Sequence, residues 1–190
     1  MTNEEILKIF SKTGGVLKGH FRLTSGRHAD TYMQCAKLFV DTACSEKLCK
    51  ALAKKLKSYK ADIVVSPAVG GILMGYEMAR QLKLPNIFAE RENSQFTFRR
   101  GFSLPKGAKV VVVEDVVTTG GSVKEVLELV KSEGGEIVCV ASIVDRSNGS
   151  VEFGVPYESL LSVDVKSYEE QDCPICKEGK VPLYKPGSRT

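Results

Sequence analysis

Four valines in a row, Val110-Val111-Val112-Val113, constrain this chain more than any other stretch. Strand side chains alternate between two faces, so an unbroken apolar run needs cover on both, the condition of a strand inside a parallel sheet. Glu114 and Asp115 end the run. Val116-Val117-Thr118-Thr119-Gly120-Gly121-Ser122 then leads into a segment whose Val123, Val126, Leu127 and Val130 recur at helical spacing, up to Gly134-Gly135. The predicted unit is a strand, an acidic pair, a small-residue turn and a helix. The first backbone N–H groups of a helix have no partner within it and suit a phosphate. Thr118, Thr119 and Ser122 add hydroxyls, whereas the two carboxylates repel a phosphate and accept hydrogen bonds from ribose hydroxyls. One loop thus offers places for both halves of a sugar phosphate. The plainer alternative is a strand–turn–helix with no ligand. The chain has no G-x-x-x-x-G-K-[ST] and no strand-borne G-x-G-x-x-G, which sets aside a P-loop and a dinucleotide fingerprint.

The same alternation extends along the chain. Ile63–Val65 reads as a buried strand, Gly70-Gly71 as a turn, 72–82 as a helix closed before Pro85, and Asn86–Arg91 as the next strand. Residues 92–105 lack periodicity and read as a long loop or an extended hairpin. Ile137–Val144 and Tyr157–Val163 are further strands. This pattern predicts an α/β fold, a mostly parallel, doubly wound sheet flanked by helices. The first 40 residues depart from it. A short amphipathic helix over 3–12 is followed by alternating runs from Val16 to Phe39, broken at Ser25-Gly26 as in an antiparallel hairpin. At 190 residues the chain suits one domain, 1–190. In this reading 41–163 form the core, and 1–40 with the tail 164–190 form a small hood over the sheet's carboxyl edge.

Composition narrows the partners. The net charge of +4 favours anionic small molecules, and no dense Lys/Arg run with interleaved aromatics points to nucleic acid. Lys47, Lys50, Lys54, Lys55, Lys57 and Lys60 read as the solvated face of a helix over about 42–58, whose buried stripe is Leu48, Leu52 and Leu56. No secretory-signal pattern and no apolar run of about 18 residues is present, so no membrane association is expected. The six cysteines are scattered rather than framed, and a cytoplasmic location is the expectation.

Val110 to Ser122 resembles the phosphoribosyl pyrophosphate (PRPP) motif of type I phosphoribosyltransferases: four apolar residues, two acidic, two apolar, then a Thr/Gly-rich loop. Other segments narrow the resemblance to the orotate phosphoribosyltransferases, over essentially the whole chain. It implies the type I phosphoribosyltransferase fold. It also implies transfer of ribose 5-phosphate from PRPP to orotate, giving orotidine 5′-phosphate and pyrophosphate in pyrimidine (UMP) synthesis. By the same resemblance Glu114 and Asp115 hold the ribose, and Val116 to Ser122 (Val116, Val117, Thr118, Thr119, Gly120, Gly121, Ser122) hold the 5-phosphate. The Ser66-Pro67-Ala68-Val69-Gly70-Gly71 turn takes pyrophosphate through backbone amides at Val69 and Gly70, without the lysine of many relatives. Ala89 to Phe102 matches a mobile catalytic loop that closes over PRPP, partly from the neighbouring subunit, and implies a homodimer with shared sites. Arg91 matches the family's loop arginine, whereas the Lys and His of many relatives are absent. Arg99 and Arg100 take the cationic role or are surface charge.

Gly19 to Tyr32 is similar to the family's hood segment, with Thr24 where many members have Lys. Tyr32 and Met33 fall where relatives contact the orotate ring. His20 and His28 read as surface residues and receive no catalytic role. Arg146, after Ile143-Val144-Asp145, emerges at the sheet's carboxyl edge, either paired with Asp145 or, as in the family, holding the orotate carboxylate, with Thr118 and Tyr32 as further orotate-binding residues. Mg²⁺ is the implied cofactor, brought in on PRPP, with no dedicated protein metal site. Cys173-Pro174-Ile175-Cys176 is a lone C-x-x-C. A structural zinc site needs four ligands, and no second pair of suitable spacing is seen, so the expectation is a turn with reduced thiols; zinc shared across a dimer is the alternative. A purine-base phosphoribosyltransferase and a non-catalytic PRPP-sensing regulator remain the competing functions. Arg146 counts against the first, and the want of a basic patch or DNA-binding segment counts against the second.

Overall fold

The computed structural model describes residues 1–23 and 25–186; Thr24, named in the resemblance above, and residues 187–190 lie outside the described residues. In chain order the elements are α1 (Asn3–Lys12), β1 (Val16–Arg22), β2 (His28–Met33), α2 (Thr42–Leu56), β3 (Ile63–Pro67), α3 (Gly71–Leu82), β4 (Asn86–Glu92) and β5 (Gln95–Thr97). They continue as β6 (Lys109–Val117), α4 (Gly121–Ser132), β7 (Glu136–Asp145), β8 (Tyr157–Ser162), β9 (Ser167–Tyr168), α5 (Pro174–Glu178) and β10 (Leu183–Tyr184).

The six-stranded sheet runs β5-β4-β3-β6-β7-β8, parallel throughout except for β5 at one edge. The valine run explains why β6 sits inside it. Val111 and Val113 pack on one face with Leu48, Leu52, Met74 and Met78 from α2 and α3. Val110 and Val112 pack on the other with Val123, Val126, Leu127 and Val130 of α4. All four valines are at most 1% exposed, and burial of each contributes roughly 1.5–3 kcal/mol. The lysines of α2 face solvent, as their spacing predicts, while Leu48, Leu52 and Leu56 are buried.

Order matters most at the centre. After β3 the chain moves outward to β4, then returns to lay β6 on β3's other side and continues to β7 and β8. Strand order reverses between β3 and β6, so the turns following these two strands diverge and leave a crevice at the carboxyl edge. Of the two readings of residues 92–105, a long loop or an extended hairpin, the stretch begins as a short hairpin, β4 pairing antiparallel with β5. Asn93 and Ser94 both have positive φ, a two-residue turn whose twist matches that of the strands β4 and β5.

A second sheet joins the two ends of the chain in the order β10-β1-β2-β9. Arg27 ties the β1–β2 hairpin to the tail by donating to the Ser167 hydroxyl (2.9 Å) and carbonyl (2.7 Å), and it pairs with Glu169. Among the described residues no helix is long and apolar enough to cross a membrane.

Candidate active site

The turn after β3 meets the last residues of β6, because that strand runs through Glu114 and Asp115 to Val117. A Cβ placed on Gly70 would lie 3.7 Å from Asp115 Oδ1, and one on Gly71 would lie 3.1 Å from Glu114 Oε1. Glycine at these positions keeps open the space between the Ser66–Gly71 turn and the acidic pair. Val69 projects from that turn, 82% exposed. Asp115 is buried and Glu114 half-buried, and neither forms an ion pair among the described residues. Burial, then the charge of Asp115, raises the Glu114 carboxyl well above its ordinary pKa, and burial raises that of Asp115. Two desolvated carboxylates without a cation favour a ligand that brings hydroxyl donors and positive charge.

From Val116 to Ser122 the loop divides its roles. Val116 is half-buried against the α2–α3 core, and Val117 is buried against the α4 core. Their side chains hold the strand end, and the Val117 carbonyl accepts from the Arg146 backbone N–H at 2.8 Å. Thr118 and Thr119 are exposed. Gly120 turns the chain with φ +72°, and a Cβ there would come within 2.7 Å of Val151 and 3.0 Å of Phe153. The N-cap residue, Gly120, has no side chain to cap α4, so Gly121 and Ser122 open a helix whose first N–H groups lie at the loop. At a helix N-terminus these groups and the dipole favour an anion.

Arg146 lies at the end of β7, half-buried, with its guanidinium 5.5 Å from the Tyr32 ring centroid. Its Nε is buried without a hydrogen-bond partner, and it forms no ion pair among the described residues. Burial, which disfavours the charged form, lowers its pKa. Pairing with Asp145, the surface alternative, does not occur. Asp145 accepts instead from Ser147 N–H (2.8 Å), the Ser147 hydroxyl (2.6 Å) and Gly149 N–H (3.3 Å), shaping the loop after β7. Tyr32 reaches this edge from β2, but its neighbour Met33 is 3% exposed and belongs to the core, not to a ring-contacting surface. Cys35, buried within the electrostatic reach of Asp115 and Arg146, has its thiol pKa raised by desolvation. The sequence offered no sign of it, because its position follows from the turn after β2.

The loop arginines are placed apart from the acidic pair. Arg91 forms a bidentate pair with Glu125 of α4 (2.6 and 2.8 Å), donates to the Ser94 carbonyl and stacks 4.2 Å from the Phe96 ring centroid. Arg100 pairs with Glu90 and Arg99 with Glu92. Each cation thus meets a carboxylate of its own chain. Glu90 and Glu92 belong to the same motif, whereas Glu125 lies on α4 and was not legible from it.

Two expectations are corrected. His20 and His28 are not surface residues: they are 4% and 1% exposed, on adjacent strands β1 and β2. The C-x-x-C pair is not alone either. The second pair is these histidines, brought beside Cys173 and Cys176 by the sheet that joins the tail to the hairpin. Their separation in sequence hid the grouping.

Comparison with known proteins accords with this geometry. Residues 39–164 match the phosphoribosyl transferase domain. Orotate phosphoribosyltransferase of Caldanaerobacter subterraneus is 55% identical over 189 residues, 100% of this chain and 99% of that protein. The one from Thermotoga maritima is 54% identical over 97% of this chain and 98% of its own length. The crystal structure of orotate phosphoribosyltransferase from Aeropyrum pernix superposes with a TM-score of 0.73 at 28% identity, covering 83% of this chain and 93% of that one. The Mycobacterium tuberculosis enzyme superposes at 0.69 with 25% identity, over 84% and 95%. With its acidic pair, its glycine turn and its unpaired arginine gathered at one sheet edge, the chain belongs to the orotate phosphoribosyltransferases of the phosphoribosyl transferase family.

Proposed function

We propose that the crevice between the turns after β3 and β6 is where PRPP and orotate meet, with each residue in a defined role. Displacing pyrophosphate from C1 builds positive charge on the ribose, and a ring nitrogen of orotate is the nucleophile. The protein therefore positions the reactants, stabilises charge and excludes water. Glu114 and Asp115 accept from the ribose hydroxyls. Thr118 to Ser122 and the start of α4 hold the 5-phosphate. Amides at Val69 and Gly70 take pyrophosphate. Arg146 takes the orotate carboxylate, with Tyr32 and Thr118 beside the ring. Oxygen donors without a cation partner suit Mg²⁺, which Glu114 and Asp115 would help to hold through PRPP; the ion offsets the negative charge of the pyrophosphate.

Closure over PRPP is assigned to Arg91, Arg99 and Arg100, reaching the site of a second subunit once they leave their present carboxylates. A homodimer is supported by exposed apolar side chains along α3, Leu73 (56%) and Tyr76 (65%). The small sheet acts as a hood above the core. A cytoplasmic location suits six thiols outside any disulfide.

The observation that carries the orotate assignment is Arg146, a half-buried guanidinium without an ion-pair partner among the described residues. A charge-assisted bond to a carboxylate contributes roughly 1.5–3 kcal/mol. Arg146→Ala should therefore raise the orotate KM on the order of tenfold or more and change the PRPP KM little. Steady-state kinetics with each substrate varied in turn will check this; an unchanged orotate KM would place the carboxylate elsewhere.

A further inference from the structure

We infer that His20, His28, Cys173 and Cys176 form a structural Zn²⁺ site that fastens the chain's tail to its N-terminal hairpin. The four candidate ligand atoms lie within 4.8 Å of one another. His20 Nε2 is 3.1 Å from His28 Nδ1 and 3.5 Å from each sulfur, and His28 Nδ1 is 3.2 Å from Cys176 Sγ. A tetrahedral zinc ion with Zn–N of about 2.0–2.1 Å and Zn–S of about 2.3 Å has N···N edges of about 3.3 Å, N···S of about 3.5 Å and S···S of about 3.8 Å. The observed separations match that figure to a few tenths of an ångström.

Chemistry supports the same reading. His20 Nδ1 lies 3.2 Å from the Val181 carbonyl. A carbonyl only accepts, so Nδ1 carries the proton and Nε2 turns its lone pair to the centre of the cluster, the outer-shell arrangement of metal-bound histidine. Two thiolates and two neutral imidazoles around Zn²⁺ sum to zero charge, which suits a site where three of the four ligands are buried. Cys173 and Cys176 flank the start of α5, with Pro174 at its first position. His20 and His28 come from β1 and β2. One ion would thus join segments more than 140 residues apart in sequence. Tyr32 follows His28 on β2, so the ion also steadies the strand that reaches the orotate side of the crevice.

The test uses the full chain purified under reducing conditions from zinc-supplemented medium. Elemental analysis should find one zinc per chain, and Cys176→Ser and His28→Ala should each abolish it. Removing zinc with a strong chelator should lower Tm on the order of 5–10 °C, with recovery on adding Zn²⁺ back. If the variants do not fold, Co²⁺ added to the chelated wild-type chain serves instead. It should give the intense visible bands of tetrahedral cobalt and thiolate charge transfer, both displaced by Zn²⁺. A zinc-free wild-type chain, a Cys173–Cys176 disulfide, weak octahedral cobalt bands, or full zinc retention in folded variants would each overturn the proposal.

Discussion

Asp115 shows how far one residue's role departs from its contribution to stability. Its carboxyl pKa is raised by burial from an ordinary 3.8. The folded chain therefore holds that proton to a higher pH than the unfolded chain does. Between the two values the native state binds more protons, so stability falls as pH rises through this window. Asp115→Asn removes that cost while keeping the shape. We expect a large loss of kcat with a Tm no lower than wild type at mildly alkaline pH, and the Tm difference should vanish as pH drops below the ordinary carboxyl value. Paired turnover assays and thermal melts across pH will check this; near-normal kcat would remove Asp115 from the ribose site. The acidic pair and Arg146 were legible in the sequence, because apolar strands mark where their ends emerge. The burial of His20 and His28 was not, since beyond each other their cover comes from Cys173, Cys176 and Val181 of the distant tail.

Among the elements, the turn from β6 into α4 has the least room for change. At Gly120 an alanine meets a left-handed backbone, which costs about 1–2 kcal/mol, and a Cβ 2.7 Å from Val151, an overpacking cost of about 1–3 kcal/mol. Gly120→Ala should lower Tm by roughly 4 °C or more and raise the PRPP KM, because Thr118 and Thr119 are placed by that turn. An unchanged melt with unchanged KM would mean that the loop accommodates the methyl group. Helices and most core strands agree with the sequence's periodicity to within two or three residues, because amphipathic period and burial are local signals; β6 instead runs four residues past the valines to Val117, since its pairing with β7 continues through the acidic pair. The hairpin after Arg91 was undecided for the opposite reason. Asn93-Ser94 is not a strong turn pair, and β5 is held by Phe96 packing into a core built from distant strands.

At the scale of the whole molecule, a shared site makes a sharp forecast. Arg91 faces Glu125 of its own chain here, and its proposed work lies across a dimer. Mixing inactive Arg91→Ala and Asp115→Asn chains with full subunit exchange gives about half heterodimers, each with one intact site, so about a quarter of wild-type sites should recover. Activity of the mixture against time of exchange will measure it; no recovery despite proven exchange would confine Arg91 to its own subunit. What the sequence by itself determined is whatever depends on near neighbours: the buried valine run of β6, the acidic pair that follows that run, the glycine turns and the alternation that makes a doubly wound sheet. Tertiary structure alone decided which distant groups meet. The strand order places the turn after β3 against Glu114 and Asp115, Glu125 captures Arg91, and the small sheet sets Cys173 and Cys176 beside two histidines from the other end of the chain. The reason is physical: periodicity reports which face of an element is buried, whereas the partner on that face is chosen by the closure of the whole chain.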